Sequence, residues 1–257
     1  MRKTFVSELL ALGAGTAAVG AYILVFLPWQ RRWGATDEEV CRTLPGDEQV
    51  PHPDIQWTRA ITIKAKVADI WPWLVQIGQG RGGYYSYRWL EKLMGLKIDH
   101  ADQINPAWQQ LKEGDIIPAE PDGIGYRVIT VEPGRALVLG AQEKDEGVSW
   151  SFTLLYRAFT WVFVLEEVDT EQTRLITRMR AQTRHSPLVA LASPFIDFGA
   201  FFLKRSMLLG IKQRAEWLSE QAKEGFRNRR RREASPGSTS TLKMASPSPL
   251  SITSRNE

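Results

Sequence analysis

Cysteine is nearly absent. Cys41 is the only one in 257 residues, which excludes an intrachain disulfide and any zinc cage built from cysteines. Histidine is scarce as well: His52, His100 and His185 are the whole supply. A metal centre would need several ligands converging in suitable geometry, and no such set is spaced for it. The chain has no G-x-x-x-x-G-K-S/T phosphate loop, no G-x-S-x-G nucleophile elbow and no internal repeat. Cys41 has no histidine near it in sequence, so a cysteine nucleophile is not indicated.

An excess of cations on the body of the chain is missing too. The formal charge is +4, but residues 225–257 carry +5 and residues 1–32 carry +3, leaving 33–224 at −4. Nucleic-acid-binding domains hold their cations on the body, so nucleic acid is disfavoured as a partner. With 43% hydrophobic and 24% charged residues, the composition is that of a globular chain, neither disordered nor collagen-like throughout.

Long apolar runs are few: 187–211 is apolar enough to raise a membrane span, but Pro187, Pro194, Asp197, Lys204 and Arg205 argue against one there, which leaves the N-terminal run. Residues 9–27 carry no charge; Arg2 and Lys3 precede them, and Trp29, Arg31, Arg32 and Trp33 follow. That is about the length that crosses a bilayer, with Trp where interfacial belts form. The expectation is a single-pass anchor over 1–33; a cleaved signal peptide and a buried helix are the alternatives. Counting of positive residues is close to a tie and prefers the domain on the cytoplasmic side.

Residues 34–57, rich in Pro, Gly and acids, read as an extended connector. Alternation over 58–66 predicts a strand, and Ile70, Trp73, Leu74 and Ile77 are spaced as one helix face. Within 78–95 a Gly-rich loop leads to a short helix that Ser86 could cap, with Trp89, Leu90, Leu93 and Met94 as its apolar face. Strand patterns then follow one another to about residue 183, joined as an antiparallel meander. Ser193-Pro194 reads as the start of a long helix whose stripe is Phe198, Phe201, Leu208, Ile211, Ala215 and Leu218. Beyond Gly225, the cluster Arg227–Arg232 and a Ser/Pro-rich tail read as disordered.

The segments GATDEEV (34–40), LPGDE (44–48), TRAITIKA (58–65), WPWLVQIGQGRGGYYSY (71–87), HADQINPAWQQLKEGD (100–115), VEPGRALVL (131–139) and MLLGIKQRAEWL (207–218) carry a resemblance. Together they resemble the START/SRPBCC superfamily, and most of all its bacterial polyketide-cyclase/dehydrase-like and lipid-transport-like members. The resemblance implies an α+β helix-grip fold over 58–224, with a curved antiparallel sheet wrapped around a long C-terminal helix. It implies a cavity for a hydrophobic or amphipathic small molecule, and no cofactor or metal. It does not imply a reaction, because members include both carriers and cyclases. The chain departs from the family's pattern in its N-terminal segment, in residues 149–159 and in its basic tail.

Candidate ligand-binding residues are Arg81, Tyr84, Tyr85, Tyr87, Trp108 and Trp150. Tyrosine joins a flat apolar face to a hydroxyl, which suits a ring-bearing ligand; helix and core packing accounts for the same residues. Arg81 would meet an anionic group at the cavity mouth. His100, between Asp99 and Asp102, and Glu91 are the candidates for acid–base work, if the protein is a cyclase or dehydratase. A surface turn is the alternative for His100. Trp161 and Phe163 fit an apolar inner sheet face, and the arginines at 127, 174, 178 and 180 are expected on its exterior. Arg227–Arg232 would meet anionic lipid headgroups or stay solvated. A third reading is a membrane-associated scaffold without ligand.

Overall fold

The computed structural model describes residues 13–93, 98–120, 124–142, 145, 155–184 and 186–233. Residues 1–220 form one compact unit. Among the described residues, six strands make a single antiparallel sheet: β1 (Ile55–Ile63), β2 (Ile116–Pro118), β3 (Gly125–Glu132), β4 (Ala136–Gln142), β5 (Tyr156–Asp169) and β6 (Gln172–Thr183). Their order is β1-β6-β5-β4-β3-β2. The first strand therefore pairs with the last, while the others follow by hairpin connection.

Period-2 alternation gives the sheet two different faces. Trp57, Ile63, Leu137, Leu139, Trp161, Phe163, Leu175 and Met179 point inward. They meet Ile70, Trp73 and Leu74 of a helix Val67–Val75 and Met207, Leu208, Ile211 and Ala215 of the C-terminal helix Pro187–Glu233. The register sets Leu139 opposite Trp161 and Leu137 opposite Phe163, so large side chains stack in layers across the core.

The segment expected to be an extended connector is folded onto the outer face of the sheet. Thr36 and Glu39 form a reciprocal capping box that starts a short helix, Asp37–Cys41. Leu44 then packs with Ala60, Val138, Val162, Val164 and Ile176. Arg178 lies under this strap and is 1% exposed. Its guanidinium donates to the carbonyls of Glu39, Val40 and Arg42, to Thr58 Oγ1 and to Asp47 Oδ2. Arg174 pairs with Glu39 at 2.7 Å. These arginines point outward as expected, but the acidic strap covers them instead of water.

The C-terminal helix differs from expectation at both ends. It begins at Pro187, six residues before Ser193, and runs without a break past Gly225 to Glu233. Pro187 suits a first helical position, where a missing N–H costs nothing. Residues 221–257 are a second unit, described over 221–233, where the chain is helical and the Arg230 guanidinium lies over the Phe226 ring. Gly210, in mid-helix, marks a close approach: a Cβ there would lie 2.1 Å from the Tyr85 carbonyl oxygen. Tyr85 itself has φ +56°, a conformation that costs a tyrosine and is held by its surroundings.

The expected transmembrane span is corrected. Residues 13–31 are helical, including a π-helical stretch Tyr22–Phe26 and an α-helix Leu27–Arg31. No helix among the described residues is long and apolar enough to cross a membrane; residues 9–12 of the expected span lie outside them. Two causes are visible. Gly13, Gly15, Thr16 and Gly20 dilute the first turns, and the last turns dock on the C-terminal helix. Phe26 meets Phe198 and Phe201, Trp29 meets Phe201, and Arg31 pairs with Asp197 at 2.9 Å.

Candidate ligand cavity

A cavity of about 200 Å³ lies between the inner face of the sheet and the C-terminal helix. Tyr126 of β3 and Trp161 of β5 supply its sheet side, and Leu203, Lys204 and Met207 its helix side. Tyr84, Ser86, Ile98 and Ala119 come from loops at its rim. The rings form one wall: Tyr84 stacks on Trp161 at 6.5 Å and 22°, and Tyr126 meets Trp161 edge-on at 5.9 Å. The wall is fixed by hydrogen bonds. Trp161 Nε1–H donates to Thr177 Oγ1 at 3.0 Å, and the Tyr84 hydroxyl donates to the Pro118 carbonyl at 3.1 Å. Burial pushes both tyrosine hydroxyls up, Tyr84 well above the usual phenol value and Tyr126 to about 12. Both stay neutral hydrogen-bonding groups at any physiological pH.

Lys204 is the unusual member. Its ammonium lies 4.6 Å from the Trp57 ring centre and 5.5 Å from that of Trp161. Its hydrogen-bond partner is the Met179 sulfur at 3.4 Å, a weak acceptor. Burial, and then repulsion from Arg59, push its pKa down to about 7, against a smaller pull from Asp197. Arg59 is 2% exposed, lies 4.4 Å from the same Trp57 ring, and has an Nη1 without an acceptor. Asp197, the acid that bears on these cations, is already bonded to Arg31. Positive charge thus exceeds negative charge beside the cavity.

The candidates read from the sequence are scattered. Tyr84 lines the cavity. Arg81 donates to the carbonyls of Val75 and Trp108, at 2.8 and 3.1 Å, and so ties the end of the helix Val67–Val75 to the Trp108 turn. Trp108 enters through its backbone, with its ring half-buried. Tyr85 is buried beside Trp73, and its hydroxyl donates to the Trp73 carbonyl. Tyr87 is 45% exposed and stacks on Trp89. His100 is buried, and its Nδ1 accepts the Tyr85 N–H at 3.2 Å, which helps hold the strained Tyr85 backbone. Asp102 turns away to Arg214. Trp150 and the Glu91 side chain lie outside the described residues.

Sequence reasoning missed Tyr126 and Lys204 as lining residues. The signal for Lys204 was present. Phe201, Lys204, Leu208, Ile211 and Ala215 are spaced three and four apart, so they share one helix face. A lysine inside an apolar stripe is a buried amine or the rim of a cavity.

A hollow of about 460 Å³ on the outer face, bordered by Gln49, Arg127, Gly140 and Thr160, is larger. Its lining is more polar, and Phe159 is the aromatic residue in it. The inner cavity has the apolar walls and few polar groups of a ligand site.

No protein-family model and no curated protein matches the chain. Solved structures of similar outline include the Zhui aromatase/cyclase from Streptomyces sp. R1128, at 14% identity and TM-score 0.37, over 63% of this chain and 93% of that one. Others are a major latex-like protein from Panax ginseng (10%, 0.35, 64% and 97%) and a hypothetical protein from Helicobacter pylori (14%, 0.38, 67% and 95%). Scores of this size carry no argument of their own. The strand order, with β1 closing on β6 and a long C-terminal helix across the inner face, is the helix-grip arrangement expected from the sequence.

Proposed function

We propose that the protein binds a small, ring-bearing apolar molecule in the cavity between sheet and helix. The observation that carries this reading is the aromatic wall of Tyr84, Trp161 and Tyr126 facing the space between sheet and helix. Size narrows the class. A cavity of about 150 Å³ holds a benzene ring, so about 200 Å³ suits a molecule of one or two fused rings. Carriage is favoured over a cyclase or dehydratase reaction because the described lining contains no histidine and no carboxylate. Acid–base catalysis would have to use Lys204, Tyr84 or Tyr126 instead. Calorimetric titration with 2-naphthol tests the reading, with Ala119→Phe as the variant that fills the space.

A membrane surface is the proposed setting, with the protein lying on it and not spanning it. Val19, Ile23, Leu24, Val25 and Trp29 are exposed on the N-terminal helix, as are Ile196, Phe198 and Phe202 on the helix it contacts. Exposed apolar side chains grouped on two adjoining helices mark an interaction surface, and Arg31, Arg32 and Arg205 lie in the same region. Flotation with vesicles containing anionic lipid is expected to carry the wild type upward. Leu24→Glu with Val25→Glu is expected to leave most of the protein at the bottom. Equal flotation of the two would overturn this setting.

A further inference from the structure

Resting on that reading of the cavity, we propose that its ligand is an acid: an apolar ring system bearing a carboxylate, with the carboxylate received by Lys204. Three observations converge. Lys204 lines the cavity, and its ammonium has two indole rings and a thioether as neighbours. Such surroundings tolerate a cation but do not neutralise it. The carboxylate that bears on it, Asp197, is held by Arg31 at 2.9 Å, and the next cation, Arg59, adds repulsion. Tyr126, on the sheet side of the same cavity, offers a neutral hydroxyl donor. A bound carboxylate would satisfy the ammonium and balance the charge, while its ring lies along Tyr84 and Trp161.

The pH dependence has a defined sign. The groups bearing on Lys204 are Arg59 on β1, Asp197 on its own helix and, through Asp197, Arg31 of the N-terminal helix; Tyr84 and Tyr126 stay neutral. With a pKa near 7 in the empty protein, Lys204 is cationic below pH 7 and increasingly neutral above it. A carboxylate therefore binds best at low pH and weakens as the pH rises through the range 7–9, whereas a neutral ligand does not respond.

The test compares 2-naphthoate with its methyl ester by calorimetry, using the full chain at pH 6 and pH 9. At pH 6 the wild type is expected to bind the acid about ten- to a hundredfold more tightly than the ester, the range of a charged hydrogen bond. Lys204→Met is expected to reverse that order, and Lys204→Gln to abolish the preference; thermal unfolding confirms that both fold. Equal affinities for acid and ester in the wild type, unchanged in both variants, would overturn the acid inference and leave the cavity reading intact. Failure of the wild type to bind either probe would overturn both.

Discussion

Replacing Arg178 with alanine is expected to lower stability by about 3–5 kcal/mol, the cost of breaking a buried pair from one side. The side chain is 1% exposed and Asp47 is 6% exposed, at 2.5 Å. Alanine would leave that carboxylate with Arg180, at 3.3 Å, as its remaining cation. It would also strip a donor from three strap carbonyls. For a domain of this size about 2–4 °C of Tm accompanies each kcal/mol, so the expected drop is of the order of 10 °C. The double variant Arg178→Met with Asp47→Leu should recover most of the loss, because it removes both charges together. Urea unfolding monitored by circular dichroism measures both. A loss below about 1 kcal/mol in Arg178→Ala would mean that the strap is held by apolar packing alone. Since the strap lies on the outer face and the cavity on the inner one, ligand affinity of the folded fraction should be unchanged.

Replacing Trp161 with alanine should damage stability and binding together. The ring is 4% exposed and touches Tyr84, Tyr126 and Phe163. Its removal should cost about 3–5 kcal/mol, the usual range for deleting a large buried aromatic. It also removes the surface on which Tyr84 stacks. Binding of 2-naphthol should weaken about tenfold or more, since aromatic contact contributes beyond buried area. Trp161→Phe keeps a flat apolar face and loses the hydrogen bond to Thr177. It should therefore lose about 1–2 kcal/mol and keep most of the affinity. If Trp161→Ala bound 2-naphthol as tightly as the wild type, the aromatic wall would not be the ligand surface.

How far the sequence could be read differed by element. The strands and the face of the long helix were legible because burial writes a period of two or of three to four into the residues. Val128, Leu139 and Leu175 fall inward as alternation demands. The strap was not legible. Its Pro, Gly and acidic residues resemble a connector, and the arginines on β6, distant in sequence, give Glu39 and Asp47 their ion-pair partners. The N-terminal segment misled for a similar reason. A run of uncharged residues looks alike whether it faces lipid or a helix, and the Arg31–Asp197 pair that docks it is a long-range contact. Of the aromatic run at 84–89, Tyr84 reached the cavity, while Tyr85, with its positive φ, points to Trp73. A single backbone torsion decided which neighbour became the wall, and composition does not encode that.

The most direct measurement is the calorimetric titration of 2-naphthol into wild type and Ala119→Phe. The account predicts one saturable site per chain in the wild type. It also predicts at least a tenfold loss in the variant, whose unfolding transition stays in place because the added ring fills existing space. No saturable binding in the wild type, or equal affinity in the two proteins, would contradict a ligand cavity bounded by Tyr84, Trp161 and Tyr126.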